Sequence, residues 1–388
     1  MSTGEPRRVA IVPDFSEWYD HQVLAGISAY VHTHEHWSLY VPPDPVHCVA
    51  MLENWTGDGI IANFDNPQLS AVVRRKGAPA VGFGGGTGFT TNRVRYLSTD
   101  DDAIGQLGAE HLLERGFTRF GYCAMPRTVR HQPWSERRGR AFCDAVERAG
   151  FPCSMFCASA AVSLDWGRLL EALTQWIQSL ERPIGIMAAY DMRALHLLEA
   201  CRELNVRVPE EVAVLGVDNH ELICELAQPS LSSVIQGGYQ VGFEAAELLD
   251  RMMRRQVPDQ RSKAVPPVGV ATRHSTDVLA IEDDQVVTAI RLIRERACDG
   301  IQVKDAVNAV SIARVTLEKR FKAVVGRTMH AEIKRVQMER VKGLLRTTDL
   351  PIHEVARQSG FEYVEYLSNS FRQATGMTPG EYRRLNRQ

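Results

Sequence analysis

Two aspartates follow strand-like apolar runs in the middle of the sequence. Asp191 ends the run GIMAAYD, and Asp218 ends the run VAVLGVD. Ligands of open α/β sheets bind beyond the carboxyl ends of the strands, so both side chains are expected at one cleft. An ionised carboxylate accepts hydrogen bonds from paired hydroxyl groups, and the two aspartates therefore indicate a polyol ligand. The alternative roles are a helix cap for Asp191 and an ordinary turn residue for Asp218.

Other side chains add to this predicted cleft. Further polar candidates are Asp14, which follows the first predicted strand, Asn219 and Gln236. An aromatic ring can cover the apolar face of a sugar. The aromatic candidates for that role are Trp18, Tyr19 and Trp134.

Motifs for catalysis or metal binding are weak in this sequence. The run GFGGG at residues 82–86 lacks the Gly-Lys-Ser/Thr ending of a phosphate loop and predicts a tight turn after a strand. Of the eight cysteines, only Cys153 and Cys157 lie close together, and no second ligand pair follows them. We therefore expect reduced thiols, no metal and no cofactor. An enzyme that uses Asp191 and Asp218 as acid and base is the alternative from another functional class.

Length and composition are typical of a soluble globular protein with two or three domains. The chain has 388 residues, of which 44% are hydrophobic and 24% charged. No apolar run approaches the ~20 residues that span a bilayer. The segment Met1–Arg8 also lacks the apolar core of a signal peptide. We therefore expect a cytoplasmic protein that does not bind a membrane.

Charge is unevenly distributed along the chain. From Asp283 to the end there are 19 Lys and Arg against 13 Asp and Glu, whereas the preceding residues contain 26 against 34. A basic tail behind an acidic body indicates that the tail meets a polyanion such as nucleic acid.

Short apolar runs alternate with amphipathic stretches over residues 1–276, which predicts parallel sheets with crossover helices. A first set of predicted strands comprises RVAIVP, WSLYVP, GDGIIANF and PAVGFGGG. A second set begins after Asp100 and includes RFGYCA, PIGIMAAYD and VAVLGVD. Two successive sets of similar size predict two lobes, followed by a polar linker at residues 277–284.

Only helical periodicity remains in the tail, residues 285–388. Two of its segments, which start at Val303 and Ile352, share a short helix, a tight turn and a second helix that ends in an aromatic-basic pair before a glycine. This arrangement predicts two helix-turn-helix units, at about 303–326 and 352–376, joined by a long helix. Phe361 and Phe371 are expected in the core.

The tail resembles the AraC/XylS class of transcription regulators. The fragments LEKRFKAVVG, PIHEVARQSGF and SNSFRQATGMTPGEYR carry the resemblance over about 100 residues. In the first turn, Ser311 and Ala313 depart from the Gly and capping Ser of the class. The resemblance implies that the second helix of each unit enters the major groove of DNA. The expected groove-facing residues are Arg314, Val315, Thr316, Glu318 and Lys319 in the first unit, and Glu362, Tyr363, Glu365, Tyr366 and Asn369 in the second. The expected phosphate contacts are Lys322, Arg372 and Arg383.

Residues from about Arg7 to Thr276 resemble the LacI/GalR-type ligand-binding module, which is similar to periplasmic sugar-binding proteins. The fragments RRGRAF, AAYDMRALHLLEACRELNVRVPEEVAVLGVDN and LSSVIQGGYQVGFEAAELL carry this resemblance. It implies a two-lobed, periplasmic-binding-protein-like α/β sensor ahead of the all-α domain. It also implies that Arg138, within RRGRAF, donates hydrogen bonds to sugar oxygens.

A LacI-type body followed by an AraC-type tail resembles the bacterial xylose operon regulators. This resemblance implies D-xylose as effector, and promoter DNA near genes of xylose uptake and catabolism as target. It further implies a homodimer that activates transcription through contact with RNA polymerase. Another pentose, a hexose or a purine as effector, and repression in place of activation, are the open alternatives.

Overall fold

The computed structural model describes residues 6–34, 37–42, 48–85, 88–126, 133–256, 262–277, 283–325, 327–348 and 350–385. The chain divides into two compact units, residues 1–280 and 281–388. The first unit is α/β and the second is helical, which confirms the fold class predicted from the sequence. No helix in the described part is long and apolar enough to cross a bilayer.

Strands and helices alternate through the first unit, and helices alone form the second. The described strands are β1 (Arg7–Val12), β2 (Trp37–Tyr40), β3 (Gly59–Asn63), β4 (Ala80–Phe83), β5 (Val94–Thr99), β6 (Phe120–Cys123), β7 (Cys153–Phe156), β8 (Ile184–Ala188), β9 (Val212–Val217), β10 (Ser232–Ile235), β11 (Ser262–Val265) and β12 (Gly269–Ala271). The described α-helices of the first unit are α1 (Trp18–His34), α2 (Cys48–Glu53), α3 (Pro67–Lys76), α4 (Asp101–Leu113), α5 (Pro133–Arg148), α6 (Ala160–Ser163), α7 (Trp166–Ser179), α8 (Asp191–Glu203), α9 (Glu221–Leu226) and α10 (Gly238–Met253). Those of the second unit are α11 (Asp284–Arg296), α12 (Val303–Asn308), α13 (Arg314–Val325), α14 (Met329–Thr347), α15 (Ile352–Gln358), α16 (Val364–Thr375) and α17 (Pro379–Leu385).

Each lobe of the first unit is built around one six-stranded sheet. The first lobe has the strand order β11-β5-β4-β3-β1-β2, with parallel neighbours throughout the described strands. The second lobe has the order β12-β10-β9-β8-β6-β7, with an antiparallel pair at β10 and β12. Helices cover both faces of these sheets, and central strands such as β3 and β8 are therefore buried along their whole length.

The polypeptide crosses between the lobes three times. It passes from β5 of the first lobe into α4 of the second, returns between β10 and α10, and crosses again between β11 and β12. At the second crossing Gly237 has φ +82°, a left-handed conformation that glycine adopts without a steric penalty. The crossings form the hinge about which the lobes of such a fold rotate.

The last described residues of the first unit are anchored on the second lobe. A short 3-10 turn, His274–Thr276, places Ser275 and Thr276 in fully buried positions. The Ser275 hydroxyl donates to the carbonyl oxygen of Val214 at 2.6 Å, and Arg115 Nε donates to the carbonyl oxygen of Thr276 at 2.7 Å. The last described residues of the first unit are therefore fixed to the second lobe.

Helices α1 and α10 of the first lobe pack with their backbones in contact. A Cβ atom added at Gly26 would collide with the carbonyl oxygen of Tyr239, and one added at Gly242 would collide with that of Val23. Both positions therefore require the absence of a side chain, because a backbone carbonyl cannot move aside by changing rotamer.

Replacing Gly242 with alanine is expected to lower the free energy of unfolding of the first unit by about 1–3 kcal/mol, the usual cost of overpacking a core. The six tryptophans all lie in this unit, so denaturation followed by tryptophan fluorescence measures the effect. Gly167→Ala on α7 is the control, since a Cβ there meets only a side-chain oxygen at 3.5 Å. Equal stability of the two variants would contradict the backbone contact.

The second unit contains two helix pairs, α12 with α13 and α15 with α16, joined by the long helix α14. Leu317 and Phe321 on α13 are fully buried, as are Leu367 and Phe371 at the matching positions of α16. Phe361, which the sequence analysis also expects in the core, is 5% exposed.

One pair of cysteines differs from the expectation of reduced thiols. Cys143 on α5 and Cys153 on β7 form a disulfide, with their Cα atoms 5.5 Å apart. Helix α5 packs against β7, which brings together two residues that are ten positions apart in the sequence. The described part of the chain contains no cluster of three or more His, Cys, Asp or Glu suited to a metal ion.

Candidate functional site

A cavity of about 130 Å³ lies between the two lobes of the sensor unit, at the carboxyl ends of the central strands. This is the position where parallel sheets bind ligands. Five of the seven residues predicted to contact an effector line it: Asp14, Trp134, Arg138, Asp218 and Gln236. The structure does not bring the other two, Asp191 and Asn219, into the lining.

Arg138 is the central cation of the cavity. Its side chain is buried, and Nη2 lies 3.0 Å from Oδ1 of Asp101 and 3.3 Å from Oε1 of Gln236. The guanidinium also donates to the carbonyl oxygen of Ala189 and lies 4.8 Å from the centre of the Trp134 ring. These contacts fix the orientation of the guanidinium. Its Nε–H is buried and has no hydrogen-bond partner among the described residues.

Asp218 and Gln236 form the neighbouring pair on the second lobe. Asp218 follows β9 and Gln236 follows β10, and the Gln236 amide donates to Oδ1 of Asp218. Burial raises the pKa of the Asp218 carboxyl well above its usual range, and the nearby charge of Asp191 raises it further. Because a buried carboxyl has lost its hydration, each hydrogen bond from a ligand hydroxyl group stabilises it.

Asp191, which is predicted to contact a ligand, lies outside the cavity lining. Asp191 is 1% exposed, and its carboxylate accepts from Ser233 Oγ at 2.6 Å and from the backbone N–H of His220 at 2.7 Å. Cys224 Sγ lies 3.4 Å from the same group. A Cβ at Gly216 would collide with this carboxylate, so the glycine leaves space for it. Asp191 thus organises the loop after β9 and does not face the cavity.

Asn219 contributes through its backbone rather than its side chain. Its N–H donates to Ser233 Oγ at 2.9 Å. Asp218 and Asn219 have φ values of +112° and +50°, and these left-handed conformations turn the chain sharply after β9. The turn directs Asp218 into the cavity lining and leaves Asn219 outside it.

The first lobe supplies a carboxylate that sequence reasoning missed. Asp20 lines the cavity and accepts from Asn63 Nδ2 at 3.1 and 3.0 Å and from the backbone N–H of Asp14 at 2.6 Å. Burial raises the pKa of Asp20 to about 8 despite these donors. Asn63 ends β3, and the rule that predicted Asp218 at a strand end would have indicated it. Asp20 lies one turn into α1, where no strand end marks it.

Aromatic and cationic contacts connect the two lobes beside the cavity. The Trp18 ring on α1 stacks on the His220 ring of the second lobe, with centroids 4.0 Å apart. Arg137 Nη2 donates across the lobes to the carbonyl oxygen of Gly85 at 3.2 Å. Trp18 is therefore outside the cavity lining and belongs to a contact that holds the lobes together, whereas Tyr19 does line the cavity.

The helical unit presents a second candidate surface, at α13 and α16. All ten residues predicted to face a DNA groove are exposed, and they lie on these helices or in the two positions before α16. Among them are large apolar side chains that the unit itself leaves uncovered: Val315 is 76% exposed and Tyr363 is 62% exposed. Exposed apolar side chains on a recognition helix are suited to contact base edges and methyl groups.

Several charged side chains near these helices have partners within the unit. Arg314 Nε lies 2.9 Å from Oε1 of Glu318, one turn further along α13. Lys334 on α14, which sequence reasoning missed, lies with Nζ 4.6 Å from the Tyr366 ring. Arg383 was expected at a phosphate, but its guanidinium donates to the carbonyl oxygen of Leu350 and fixes α17 to the turn before α15.

The turn between α12 and α13, which departs from the AraC/XylS pattern, is stabilised by a contact with helix α11. The backbone N–H of Ser311 donates to Oε1 of Gln285 on α11 at 2.8 Å. A side chain from a neighbouring helix thus holds the backbone of this turn, where the pattern has a glycine.

Family models cover both units of the chain. Residues 8–102 match the XylR N-terminal domain, residues 109–276 match the periplasmic binding protein-like domain, and residues 306–385 match a helix-turn-helix domain.

Two full-length relatives are xylose operon regulatory proteins. The protein of Escherichia coli K12 is 35% identical over 383 residues, covering 98% of this chain and 97% of the relative. The protein of Haemophilus influenzae is 32% identical over 385 residues, covering 98% of this chain and 99% of the relative.

Solved structures agree with these relationships. A xylose-binding transcription activator superposes with a TM-score of 0.78 at 34% identity, with all of both chains covered. The regulator CelR in complex with cellobiose has a TM-score of 0.55 at 20% identity, over 69% of this chain and 84% of the other. The second likeness supports the fold of the sensor unit alone.

Proposed function

Since the chain belongs to the family of xylose operon regulatory proteins, we propose that D-xylose is its effector and that it activates genes of xylose uptake and catabolism. Membership of this family makes the chain a DNA-binding transcription regulator rather than an enzyme. The proposal adds the identity of the sugar, the residues that contact the sugar and the DNA, and activation as the effect on transcription.

Buried Arg138 is the observation that carries the sugar proposal. Its guanidinium is held by Asp101 and Gln236, and its Nε–H is left without a partner among the described residues at a cavity between two lobes. Asp14, Asp218 and Gln236 supply further polar groups for the remaining hydroxyls, and Trp134 supplies an apolar ring.

Sugar binding acts by stabilising the arrangement in which the lobes are closed. Polar groups of both lobes line the cavity, so a sugar that contacts both binds the closed state more tightly than the open one. Only such a difference in affinity shifts the equilibrium between the two states. The stacking of Trp18 on His220 adds to the closed state at the edge of the cavity. A coupling free energy of about 1–3 kcal/mol changes DNA affinity about 5- to 150-fold.

The exposed helices α13 and α16 are the proposed DNA-reading elements. The contacts are the ten residues named from the sequence, with Lys322 and Arg372 at phosphates and Lys334 added by its position beside Tyr366. Two reading helices on one chain require successive major grooves on one face of the duplex, which favours bending of the DNA. The proposed assembly is a cytoplasmic homodimer that contacts RNA polymerase at its promoters.

A sugar panel combined with a DNA-binding assay tests this function. D-xylose is expected to raise the melting temperature of the first unit, read by tryptophan fluorescence, more than L-arabinose, D-ribose or D-glucose. With a duplex selected by the full-length protein, saturating D-xylose is expected to increase affinity about 5- to 150-fold. Stabilisation by another sugar alone would refute the effector, and release of the duplex by D-xylose would refute activation.

A further inference from the structure

One buried side chain of the helical unit contacts both DNA-reading segments. Gln337 lies in the middle of α14 and is 8% exposed. Its Nε2 donates to the carbonyl oxygen of Ala297 at 2.9 Å and to the carbonyl oxygen of Gly360 at 3.1 Å. Both N–H groups of one amide are thus used on two separate acceptors.

The two acceptors belong to different halves of the unit. We call residues 284–325 the first head and residues 352–375 the second head, since each contains one recognition helix. Ala297 lies in the 3-10 turn directly after α11 of the first head, and Gly360 lies in the turn between α15 and α16 of the second. Gln337 therefore joins the end of one head to the turn of the other.

The backbones of the two heads also meet at this point. Gly360 has φ +76°, and a Cβ added to it would lie 2.8 Å from the carbonyl oxygen of Ala297 and 2.9 Å from that of Cys298. The turn of the second head thus rests directly on the end of α11. Only glycine combines this close approach with a left-handed φ at no steric cost.

From this geometry we infer that Gln337 is a positioning residue that sets the register between the two heads on DNA. Each recognition helix has its own buried residues, Leu317 and Phe321 in the first head and Leu367 and Phe371 in the second. Loss of the Gln337 amide leaves those residues packed but removes the donor from one buried carbonyl group, that of Ala297, and one partly buried carbonyl group, that of Gly360. The heads then lose their fixed spacing, which must match successive major grooves about 34 Å apart.

A fixed spacing gives a measurable advantage on DNA. When one head is bound, a rigid connection places the other at its own groove with a high effective concentration, which can raise affinity by about 10²–10⁴-fold. A loose connection loses this advantage, although each head keeps its own contacts. The inference depends on DNA binding by the family and is independent of the effector sugar.

Full-length Gln337→Leu tests the inference with three duplexes in a gel-shift assay. One duplex is selected with the wild-type protein, and in the other two the segment under the first or the second head is scrambled. Wild type is expected to bind the intact duplex at least about 100-fold more tightly than either scrambled one. In the variant, the ratio of the affinity for the intact duplex to that for a scrambled duplex is expected to fall below about tenfold. Its affinity for the scrambled duplexes should stay within about threefold of wild type.

Two further variants separate positioning from folding. Gln337→Asn keeps the amide, but its side chain is one methylene shorter and cannot reach both carbonyl oxygens. We expect its preference for the intact over the scrambled duplexes to fall as in the leucine variant. This second variant keeps the test decisive if the leucine variant does not fold. Gln358→Leu removes an amide that bonds only Glu354 within α15 among the described residues, and it should behave like wild type. An unchanged ratio in the Gln337 variants, or an equal loss of affinity for all three duplexes, would overturn the inference.

Discussion

Replacing Arg138 with methionine is expected to weaken D-xylose binding by about 100-fold or more, measured by isothermal titration calorimetry. Methionine has a similar length but provides no donor, and each hydrogen bond to a charged group contributes about 1.5–3 kcal/mol. Loss of the bond from Nε–H to a sugar oxygen, together with loss of the guanidinium contact that holds Gln236 at the cavity, accounts for the expected change, since about 1.4 kcal/mol corresponds to a tenfold change in Kd. Circular dichroism verifies that the variant is folded.

Arg137 offers a matched control for this experiment. It contacts the same carboxylate, with Nη2 2.9 Å from Oδ2 of Asp101, but it is absent from the cavity lining and its side chain is 43% exposed. Like Arg138→Met, the Arg137→Met substitution removes one positive charge and leaves Asp101 in contact with one arginine. Its Kd for D-xylose should rise by less than about tenfold, because no donor to the sugar is lost. Similar losses in the two variants would show that the effect arises from Asp101 and would contradict the proposed contact.

Replacing Glu332 with glutamine is expected to destabilise the helical unit by about 3–5 kcal/mol, the usual cost of removing one partner from a buried ion pair. Glu332 is fully buried at the start of α14. Its oxygens lie 2.9 Å from Arg335, 3.2 Å from Arg327 and 3.5 Å from Arg294. A neutral amide removes the buried negative charge that all three guanidinium groups contact. DNA binding should be lost with the fold.

The location of the tryptophans allows the unfolding of the helical unit to be distinguished from that of the first unit. The tryptophans all lie in the first unit, so the melting curve followed by their fluorescence should be unchanged, while the part of the circular dichroism signal that comes from the helical unit is lost at a lower temperature. Glu339→Gln on the same helix is the control: its pair with Lys342 is exposed, and a change within about 0.5 kcal/mol is expected. An unshifted helical transition in the Glu332 variant would contradict the role of this cluster.

The same cluster predicts a pH dependence. Burial by itself raises the pKa of Glu332, but hydrogen bonds from Arg335 and the charges of three arginines lower it below the ordinary value of 4.5. The folded state therefore binds fewer protons than the unfolded state, so the stabilisation is present above pH 4.5 and is lost as the pH falls through the lowered pKa. The stability difference between wild type and Glu332→Gln should shrink over that range.

Much of the architecture follows from local patterns in the sequence. Continuous apolar runs between amphipathic stretches predict buried parallel strands, and the restart of this pattern after Asp100 predicts the second lobe. In the tail, two copies of one helical pattern predict two helix-turn-helix units, and the structure has the corresponding helix pairs α12 with α13 and α15 with α16. These features depend on residues that are close together in the chain, so the sequence pattern is enough to predict them.

The differences between the predicted site and the cavity lining concern side chains whose direction is set by distant residues. Asp191 occupies a strand end like Asp218, yet Ser233 and the turn after β9 draw its carboxylate away from the cavity. Asp20 enters the lining because Asn63, 43 positions later, orients it. Neither spacing nor residue type distinguishes these cases, because the partners meet only once the sheets are assembled.

The buried exit of the sensor has a mechanical consequence. Ser275 and Thr276 are bonded to the core of the second lobe, so these two residues move with that lobe as one body. The second lobe is thus the one from which the chain continues towards the DNA-binding unit, whereas the first lobe has no direct covalent continuation into that unit. Substitutions that leave effector affinity intact but abolish transcriptional response should consequently concentrate around this attachment rather than across the outer helices of the first lobe.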